Sequence, residues 1–224
     1  MNDLRSHRPL AFLAALVLVV AGCARPSGTR VRDLERVEIR QYHGKKLSSV
    51  NDFIENSIKG PQYVKKSTYR LKIGGLVDRP LTLTYDQTIG GRQRFRKVVR
   101  LDCVEGWSVT VLWEGFLVRS LLDQAGVKKQ AKVVILRAAD GYSTSFPVDY
   151  FYKKDIIIAD KMNGVVIPAE RGFPFMLVAE DKWGWKWIKW ITSIELSDEA
   201  SFRGYWERRG YTNKGDRNKF YLGR

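Results

Sequence analysis

The chain has 224 residues, a formal net charge of +15 at pH 7, 12% aromatic residues and two cysteines. This length fits one well-buried domain, so we expect a single domain and no second one. The excess of positive charge favours anionic partners, such as phospholipid headgroups, acidic proteins or an anionic cofactor. We do not expect nucleic acid as a partner, because the first residues of the chain indicate export from the cytoplasm.

The first 23 residues have the pattern of a bacterial lipoprotein signal. Two arginines precede an apolar run over residues 10–21, and small residues stand directly before Cys23. The run is too short for a membrane span, which needs about 20 residues. We therefore expect cleavage ahead of Cys23, lipidation of that cysteine, and a membrane-anchored protein on the periplasmic or extracellular face of the cell envelope. The alternative is an ordinary secretory peptide in which the cysteine is incidental.

Alternating or β-branched apolar runs predict six strands along the rest of the chain. They cover residues 68–77, 97–104, 132–136, 155–159, 175–179 and 187–196. The clearest helix is predicted over 116–125, because its apolar residues share one face and Gly126 follows. Shorter helices are expected at 50–57 and 147–152. The predicted fold class is α+β and rich in β-structure.

The sequence pattern divides the chain into four parts. Residues 1–22 are interpreted as the lipoprotein signal peptide, and 23–47 as a lipid-anchored tether that starts with a stretch rich in Pro, Ser, Gly and Arg. Residues 48–212 form the predicted domain, and 213–224 form a basic tail. The stretch from 202 to 224 holds seven basic and two acidic residues, and we expect it to wrap the surface.

Cys103 has no partner for an intramolecular disulfide if Cys23 is lipidated. It follows an apolar strand and precedes a turn with Gly106, a position where functional side chains are often presented. A packing residue and a ligand or nucleophile are equally compatible with this pattern. A nucleophile would need a nearby base, but His43 lies far away in the sequence, and a zinc site lacks ligands. A thiolate that completes the coordination of a cofactor-borne metal is the remaining functional interpretation.

The stretch Leu-Asp-Cys-Val-Glu-Gly-Trp-Ser at 101–108 resembles the cysteine motif of the sulfite-oxidase-like molybdopterin-binding oxidoreductases. Further blocks are similar to that family in order and spacing, so the resemblance covers roughly residues 48–212. These blocks begin at Tyr69, Asp140, Gly172, Trp183 and Gly204. The chain resembles single-domain members such as the catalytic subunits of periplasmic methionine-sulfoxide reductases, here in lipoprotein form.

The resemblance implies a molybdenum-molybdopterin cofactor whose metal takes Cys103 as its protein ligand and catalytic residue. It also implies oxygen-atom transfer on a small-molecule substrate, an oxo-anion or S-oxide, with electrons exchanged with a haem-containing electron-transfer protein. Lys186 and Lys189 would offer charge to a phosphate. The full set of expected cofactor contacts is Asn51, Ile54, Glu55, Arg171, Lys186, Trp187, Ile188 and Lys189. Candidates for orienting an anionic substrate are Arg100, Arg137 and Arg171.

Two departures from the family pattern favour a second hypothesis. Met176 stands where the family commonly has an arginine that binds the cofactor, so Arg171 would have to supply that charge. The leader also lacks the twin-arginine pair that normally exports a folded, cofactor-loaded protein. The second hypothesis is a cofactor-free envelope lipoprotein that uses the same fold to bind a protein or an anionic envelope component. A thiol redox role for Cys103 is disfavoured, since no resolving cysteine is present.

Overall fold

The computed structural model describes residues 31–223, so the predicted signal peptide and Cys23 lie outside the described residues. Within 31–223, no helix is both long enough and apolar enough to cross a membrane. The strands of this part are β1 (Gln41–Tyr42), β2 (Lys45–Lys46), β3 (Leu71–Gly75), β4 (Leu81–Leu83), β5 (Phe95–Asp102), β6 (Ser108–Leu117), β7 (Val133–Ala138), β8 (Ser143–Pro147), β9 (Ile157–Met162), β10 (Val165–Val166), β11 (Met176–Val178) and β12 (Ile191–Ser197). Its α-helices are α1 (Val31–Leu34), α2 (Tyr85–Ile89), α3 (Val118–Ala125) and α4 (Val148–Lys153).

Two five-stranded sheets carry the fold, and β1 and β2 form a separate hairpin. The first sheet has the order β4-β3-β12-β7-β8, with β12 parallel to β3 and antiparallel to β7. The second has the order β10-β9-β6-β5, and β11 also pairs with β9. Buried residues of both sheets and of α3 belong to one hydrophobic cluster. The structure is therefore α+β and rich in strands, which confirms the predicted fold class.

The long hairpin of β5 and β6 positions Cys103. These strands pair continuously from Phe95 opposite Gly115 to Asp102 opposite Ser108, so residues 103–107 form the connecting turn. The sequence pattern did not predict β6. Its last seven residues are all buried, because β6 lies between β5 and β9, and a run buried on both faces shows no alternation.

The predicted helix over 116–125 is α3, but it begins two residues later than expected. Phe116 and Leu117 pair with Ile158 and Ile157 of β9, so these two residues end β6 instead. The sheet approaches closely there, since a side chain at Gly115 would lie 2.0 Å from the carbonyl oxygen of Ile158. The predicted helical turn over 147–152 is confirmed as α4.

The predicted helix over 50–57 is wrong. The N–H of Val50 donates to the Glu38 carboxylate at 2.9 Å, and the N–H of Asn51 donates to the Ser49 hydroxyl at 3.1 Å. The Asp52 side chain accepts from the N–H of Ser49 at 2.7 Å. These side chains hold the backbone of residues 49–52 in a turn, and residues 53–57 form no helix or strand.

The predicted strand over 187–196 starts only at Ile191. Residues Gly184–Lys186 form a single 3₁₀ turn, and Trp190 has a φ of 55°, which an extended strand does not allow. The tryptophan-rich block is therefore irregular backbone rather than an amphipathic strand. It leads into β12 from one end of the first sheet.

Hydrogen bonds to the Glu38 side chain attach the segment before residue 48 to the domain. Its side chain accepts hydrogen bonds from the Ser49 hydroxyl at 2.6 Å, the Val50 N–H at 2.9 Å and the Asn163 amide at 2.8 Å. Glu38 is only 8% exposed. A buried carboxylate satisfied in this way fixes the position of the groups that donate to it. Part of the segment predicted as tether thus contacts the domain.

Replacing Glu38 by alanine is expected to lower the free energy of unfolding by about 3 kcal/mol, because three buried donors lose their acceptor. Urea unfolding followed by circular dichroism measures the change. Glu35→Ala is the matched control, since the Glu35 side chain is 56% exposed and its loss should cost less than about 1 kcal/mol. Equal losses in the two variants would contradict the anchoring role of Glu38.

Candidate active site

A cavity of about 160 Å³ opens beside Cys103. Its walls come from the turn after β5, residues 53–58, the 3₁₀ turn Ala169–Arg171, the tryptophan-rich block and the C-terminal segment. Aromatic rings cover much of the lining, and they belong to Phe53, Trp107, Tyr142, Trp185, Trp187, Trp190, Trp206 and Tyr211. An aromatic wall of this kind favours a flat, partly apolar ligand.

The turn holds Cys103 rigidly at the cavity. The N–H of Cys103 donates to the carbonyl of Trp107 at 2.9 Å, and the N–H of Gly106 donates back to the carbonyl of Cys103 at 3.1 Å. Gly184 lies against the turn, where an added Cβ would be 3.4 Å from the Cα of Cys103. Before the turn, Asp102 accepts from Arg100 at 2.7 Å and from Arg217 at 2.8 Å.

The thiol of Cys103 is half-buried, and its Sγ lies 3.7 Å from a carboxylate oxygen of Glu105. Burial raises the pKa of the Cys103 thiol, and the Glu105 carboxylate raises it further, while the Glu105 N–H offsets part of the increase. The thiol therefore keeps its proton at neutral pH when no metal is bound. Binding a metal at the sulfur would release that proton.

Two cations lie on the cavity wall. Arg171 donates from Nε to the carbonyl of Val50 at 2.9 Å, and its guanidinium stacks 5.6 Å from the Phe53 ring. Lys189 pairs with Glu55 at 3.0 Å and lies 4.3 Å from the Trp190 ring. Burial lowers the pKa of both side chains, so each would gain from an anion placed beside it.

Two buried polar atoms on the same wall have no hydrogen-bond partner among residues 31–223. They are the hydroxyl oxygen of Ser57 and the indole nitrogen Nε1 of Trp185. A buried donor left unpaired costs about 1–3 kcal/mol, so such groups normally meet a ligand or water. A ligand with polar atoms, or ordered water, would pair these two groups.

A metal at Cys103 would have to bring most of its own ligands. Within the described part of the chain, no group of three or more His, Cys, Asp or Glu side chains could hold a metal ion. The arrangement instead offers one sulfur, two cations, two unpaired polar groups and aromatic walls. That donor set fits an organic cofactor that already carries its metal.

The structure brings together six of the predicted site residues. Cys103, Ile54, Arg171, Trp187, Ile188 and Lys189 line the cavity. Asn51 and Glu55 are not part of the lining. The amide of Asn51 donates to Glu35 at 3.2 Å on the surface, and Glu55 acts through its pair with Lys189. Their predicted contact with a cofactor is therefore indirect at most.

The structure contradicts the predicted phosphate contact of Lys186. Its ammonium is fully buried and donates to the carbonyl of Ser145 at 2.6 Å, to the carboxylate of Glu207 at 2.8 Å and to the carbonyl of Asn213 at 3.0 Å. All three donors of the ammonium are used. Through Glu207 and Asn213, Lys186 instead attaches to the domain the C-terminal segment that contains Trp206 and Tyr211.

Two of the three arginines proposed for substrate orientation also lie elsewhere. Arg100 pairs with Asp102, and Arg137 pairs with Glu195 at 2.9 Å on the first sheet. Neither lines the cavity, whereas Arg171 does. Sequence reasoning missed Ser57, Trp185 and the rings of the C-terminal segment. For the rings of the C-terminal segment, the one available signal was the high frequency of aromatic residues after residue 202.

Comparison with known proteins assigns the family. Residues 58–206 match the family described as the oxidoreductase molybdopterin binding domain. The chain is 34% identical over 157 residues to the uncharacterized oxidoreductase YuiH of Bacillus subtilis, an alignment that covers 70% of this chain and 78% of that protein. The chain therefore belongs to the molybdopterin-binding oxidoreductase family with a sulfite-oxidase-like fold, as its cysteine motif indicated.

Two further proteins are similar to the chain, one in sequence and one in fold. It is 31% identical over 148 residues to the putative protein-methionine-sulfoxide reductase subunit YedZ1 of Azospira oryzae, covering 66% of this chain and 56% of that protein. The sulfane dehydrogenase SoxCD from Paracoccus pantotrophus shares the fold with a TM-score of 0.62 at 24% identity, over 87% of this chain and 58% of that chain. The chain thus spans little more than half of these two proteins.

In metal-free protein, iodoacetamide should alkylate Cys103 with a rate that depends on pH. The rate should reach half its maximum at a higher pH than for free cysteine, because the pKa of the Cys103 thiol is raised. Glu105→Gln should lower that midpoint, since it removes a negative charge near the sulfur. The mass of the Cys103 peptide after timed labelling reports the rate. Glu170→Gln, which changes the same charge elsewhere on the wall, should leave the midpoint in place. A Glu105→Gln midpoint equal to that of the wild type would refute this electrostatic account.

Proposed function

We propose that this protein is a molybdopterin-dependent oxidoreductase that moves an oxygen atom to or from a small oxo-anion or S-oxide. One observation carries the proposal. The wall of a single aromatic cavity holds the Cys103 thiol, two cations and two unpaired polar groups. Family membership supports the same reaction class. A haem-containing electron-transfer protein would be the electron partner.

The residues of the cavity fit the chemical parts of such a cofactor. A pterin has flat rings that suit aromatic walls, and polar edges that the Ser57 hydroxyl and the Trp185 N–H could satisfy. Its phosphate is anionic, which Arg171 and Lys189 would offset. Met176 lies in the same cavity as Arg171, so the charge that the family arginine would have supplied is present on a neighbouring wall.

The cofactor, when bound, supplies a metal centre that exchanges one oxygen atom and two electrons with the substrate. The chain contributes Cys103, whose thiol would lose its proton and become the thiolate ligand when the metal binds. The aromatic walls exclude water, and Arg171 and Lys189 provide positive charge for an anionic cofactor group or substrate. The paired Asp102 holds the Cys103 turn from one side, while Gly184 supports it from the other.

An S-oxide is the substrate class that one relative favours, because its name describes a methionine-sulfoxide reductase subunit. Reduction of an S-oxide consumes two electrons and two protons and yields a sulfide and water.

Protein purified from its native envelope is expected to hold close to one molybdenum and one pterin per chain. Cys103→Ser should lose most of the molybdenum while unfolding at the same urea concentration as wild type, because the hydroxyl is a poor replacement for a soft thiolate. Arg171→Met should lower pterin retention by about tenfold, since a buried charge-assisted contact is lost. Elemental analysis and the fluorescence of the oxidised pterin measure both.

Arg137→Met provides the matched control, because Arg137 lies outside the cavity and should not alter pterin content. Wild-type protein that contains neither metal nor pterin would refute the proposed enzyme. It would favour the cofactor-free binding module instead.

We also propose that Cys23 carries a lipid that anchors the protein to the outer face of a cell-envelope membrane. The support is the leader pattern before Cys23. Cells fed radiolabelled palmitate should label the wild-type protein, and Cys23→Ser should abolish the label and release the protein from membranes. Cys103→Ser is the control, since it removes the other cysteine and should keep the label. Persistent label in Cys23→Ser would disprove the anchor.

A further inference from the structure

The C-terminal segment, residues 202–223, forms part of the cavity wall. Its Trp206 and Tyr211 line the cavity. Its Arg217 pairs at 2.8 Å with Asp102, the residue directly before Cys103. Glu207 of the same segment is held by Lys186, so the segment is firmly attached. The outer face of this segment is therefore a part of the surface close to the Cys103 turn.

A short chain of aromatic rings crosses the segment from the cavity to solvent. Tyr211 lines the same cavity as Cys103. The Tyr211 and Tyr221 rings are 5.8 Å apart, and those of Tyr221 and Phe220 are 4.9 Å apart. Phe220 is 70% exposed. Because electron transfer slows steeply with distance, two close ring contacts make a favourable route from the cavity to the surface.

The end of this route has the composition of a protein-docking surface. Phe220 and Leu222 are 70% and 44% exposed, which gives an apolar centre. Between 213 and 223 the chain has three basic residues and one acidic residue. Asp216 is paired with Lys182 and Arg217 with Asp102, so Lys214 and Lys219 supply the positive charge of the rim. An exposed apolar centre with a charged rim is typical of sites where proteins bind one another.

We propose that the face formed by Lys214, Arg217, Lys219, Phe220 and Leu222 is the docking surface for an acidic one-electron carrier protein. The inference rests on the proposed oxygen-atom transfer and specifies where its electron partner binds. Reduction of one S-oxide to a sulfide and water consumes two electrons and two protons. Two molecules of the reduced carrier supply the electrons, one each, and are oxidised. The positive rim attracts the acidic carrier, and Phe220 brings it to the ring chain.

The local backbone keeps this face in place. The indole N–H of Trp183 donates to the carbonyl of Lys219 at 3.1 Å, and the N–H of Thr212 donates to the carbonyl of Tyr221 at 2.9 Å. A preformed surface loses little conformational entropy when a partner binds. A redox protein is favoured over a lipid surface as the occupant of this face. The chain of rings would carry electrons between the cavity and a redox protein, whereas a lipid headgroup exchanges no electrons.

The test uses the soluble acidic haem domain of cytochrome b5 as the probe and the full protein as its partner. The double variant Lys214→Glu/Lys219→Glu should bind the probe about tenfold more weakly than wild type, and wild-type affinity should fall as salt rises. Phe220→Ala should also weaken binding. Isothermal titration measures each affinity, and this measurement does not need a loaded cofactor.

The matched control is Lys128→Glu/Lys129→Glu, which makes the same change in net charge. These lysines are exposed and lie next to Leu76 at the far end of β12, whereas the cavity lies at its beginning. The control should bind the probe within about twofold of wild type, because exposed charges beyond a Debye length are largely screened. Equal weakening in both double variants would overturn the docking surface.

A second measurement separates this proposal from the proposed function. With reduced benzyl viologen as electron donor, both double variants should reduce methionine sulfoxide at the wild-type rate, because a small donor needs no docking surface. No viologen-dependent activity in wild type would count against the enzyme itself. Unchanged affinity for the probe in Lys214→Glu/Lys219→Glu, with loss of binding to phosphatidylglycerol vesicles, would overturn the protein partner in favour of a membrane.

Discussion

The buried ion pair between Lys186 and Glu207 is the interaction on which the site depends. Both side chains are fully buried, and Glu207 also accepts from the Thr144 hydroxyl at 2.7 Å. A pair of this kind adds little stability relative to an apolar replacement, but any arrangement that leaves one charge unpaired is strongly disfavoured. The pair therefore selects one position for the C-terminal segment against β8. Without that position, Trp206 and Tyr211 would not form a wall.

Hydrogen bonds hold the irregular backbone around the cavity in a defined position. The tryptophan-rich block forms neither helix nor strand, yet its residues are fixed from several sides. Tyr142 donates from its hydroxyl to the carbonyl of Trp185, and the indole of Trp187 donates to the carbonyl of Lys182 at 3.0 Å. Irregular segments that are fully bonded in this way can present backbone and side chains at angles that regular elements do not allow.

The sequence was informative where one local pattern decides the outcome. The position of Cys103 followed from an apolar strand that ends before a glycine turn, and α3 followed from its apolar face and Gly126. The prediction of a helix over 50–57 was wrong, and a local pattern could not show that the backbone at Val50 is held by Glu38, twelve residues away in the chain. Lys186 was misassigned for a similar reason, since a charge in a sequence does not reveal which way its side chain points. Ser57 could not be found at all, because an unpaired hydroxyl is a property of its surroundings.

The attachment of residues 31–47 to the domain has a consequence for geometry at the membrane. Val31 and Leu34 pack against the core, so the chain is in contact with the domain at residue 31. If the lipid is on Cys23, only eight residue steps separate it from that point, and their fully extended length is about 30 Å. The domain is then confined to a thin layer above the bilayer. A carrier that diffuses freely through the compartment would have to enter that layer, whereas one embedded in the same membrane would already be within reach.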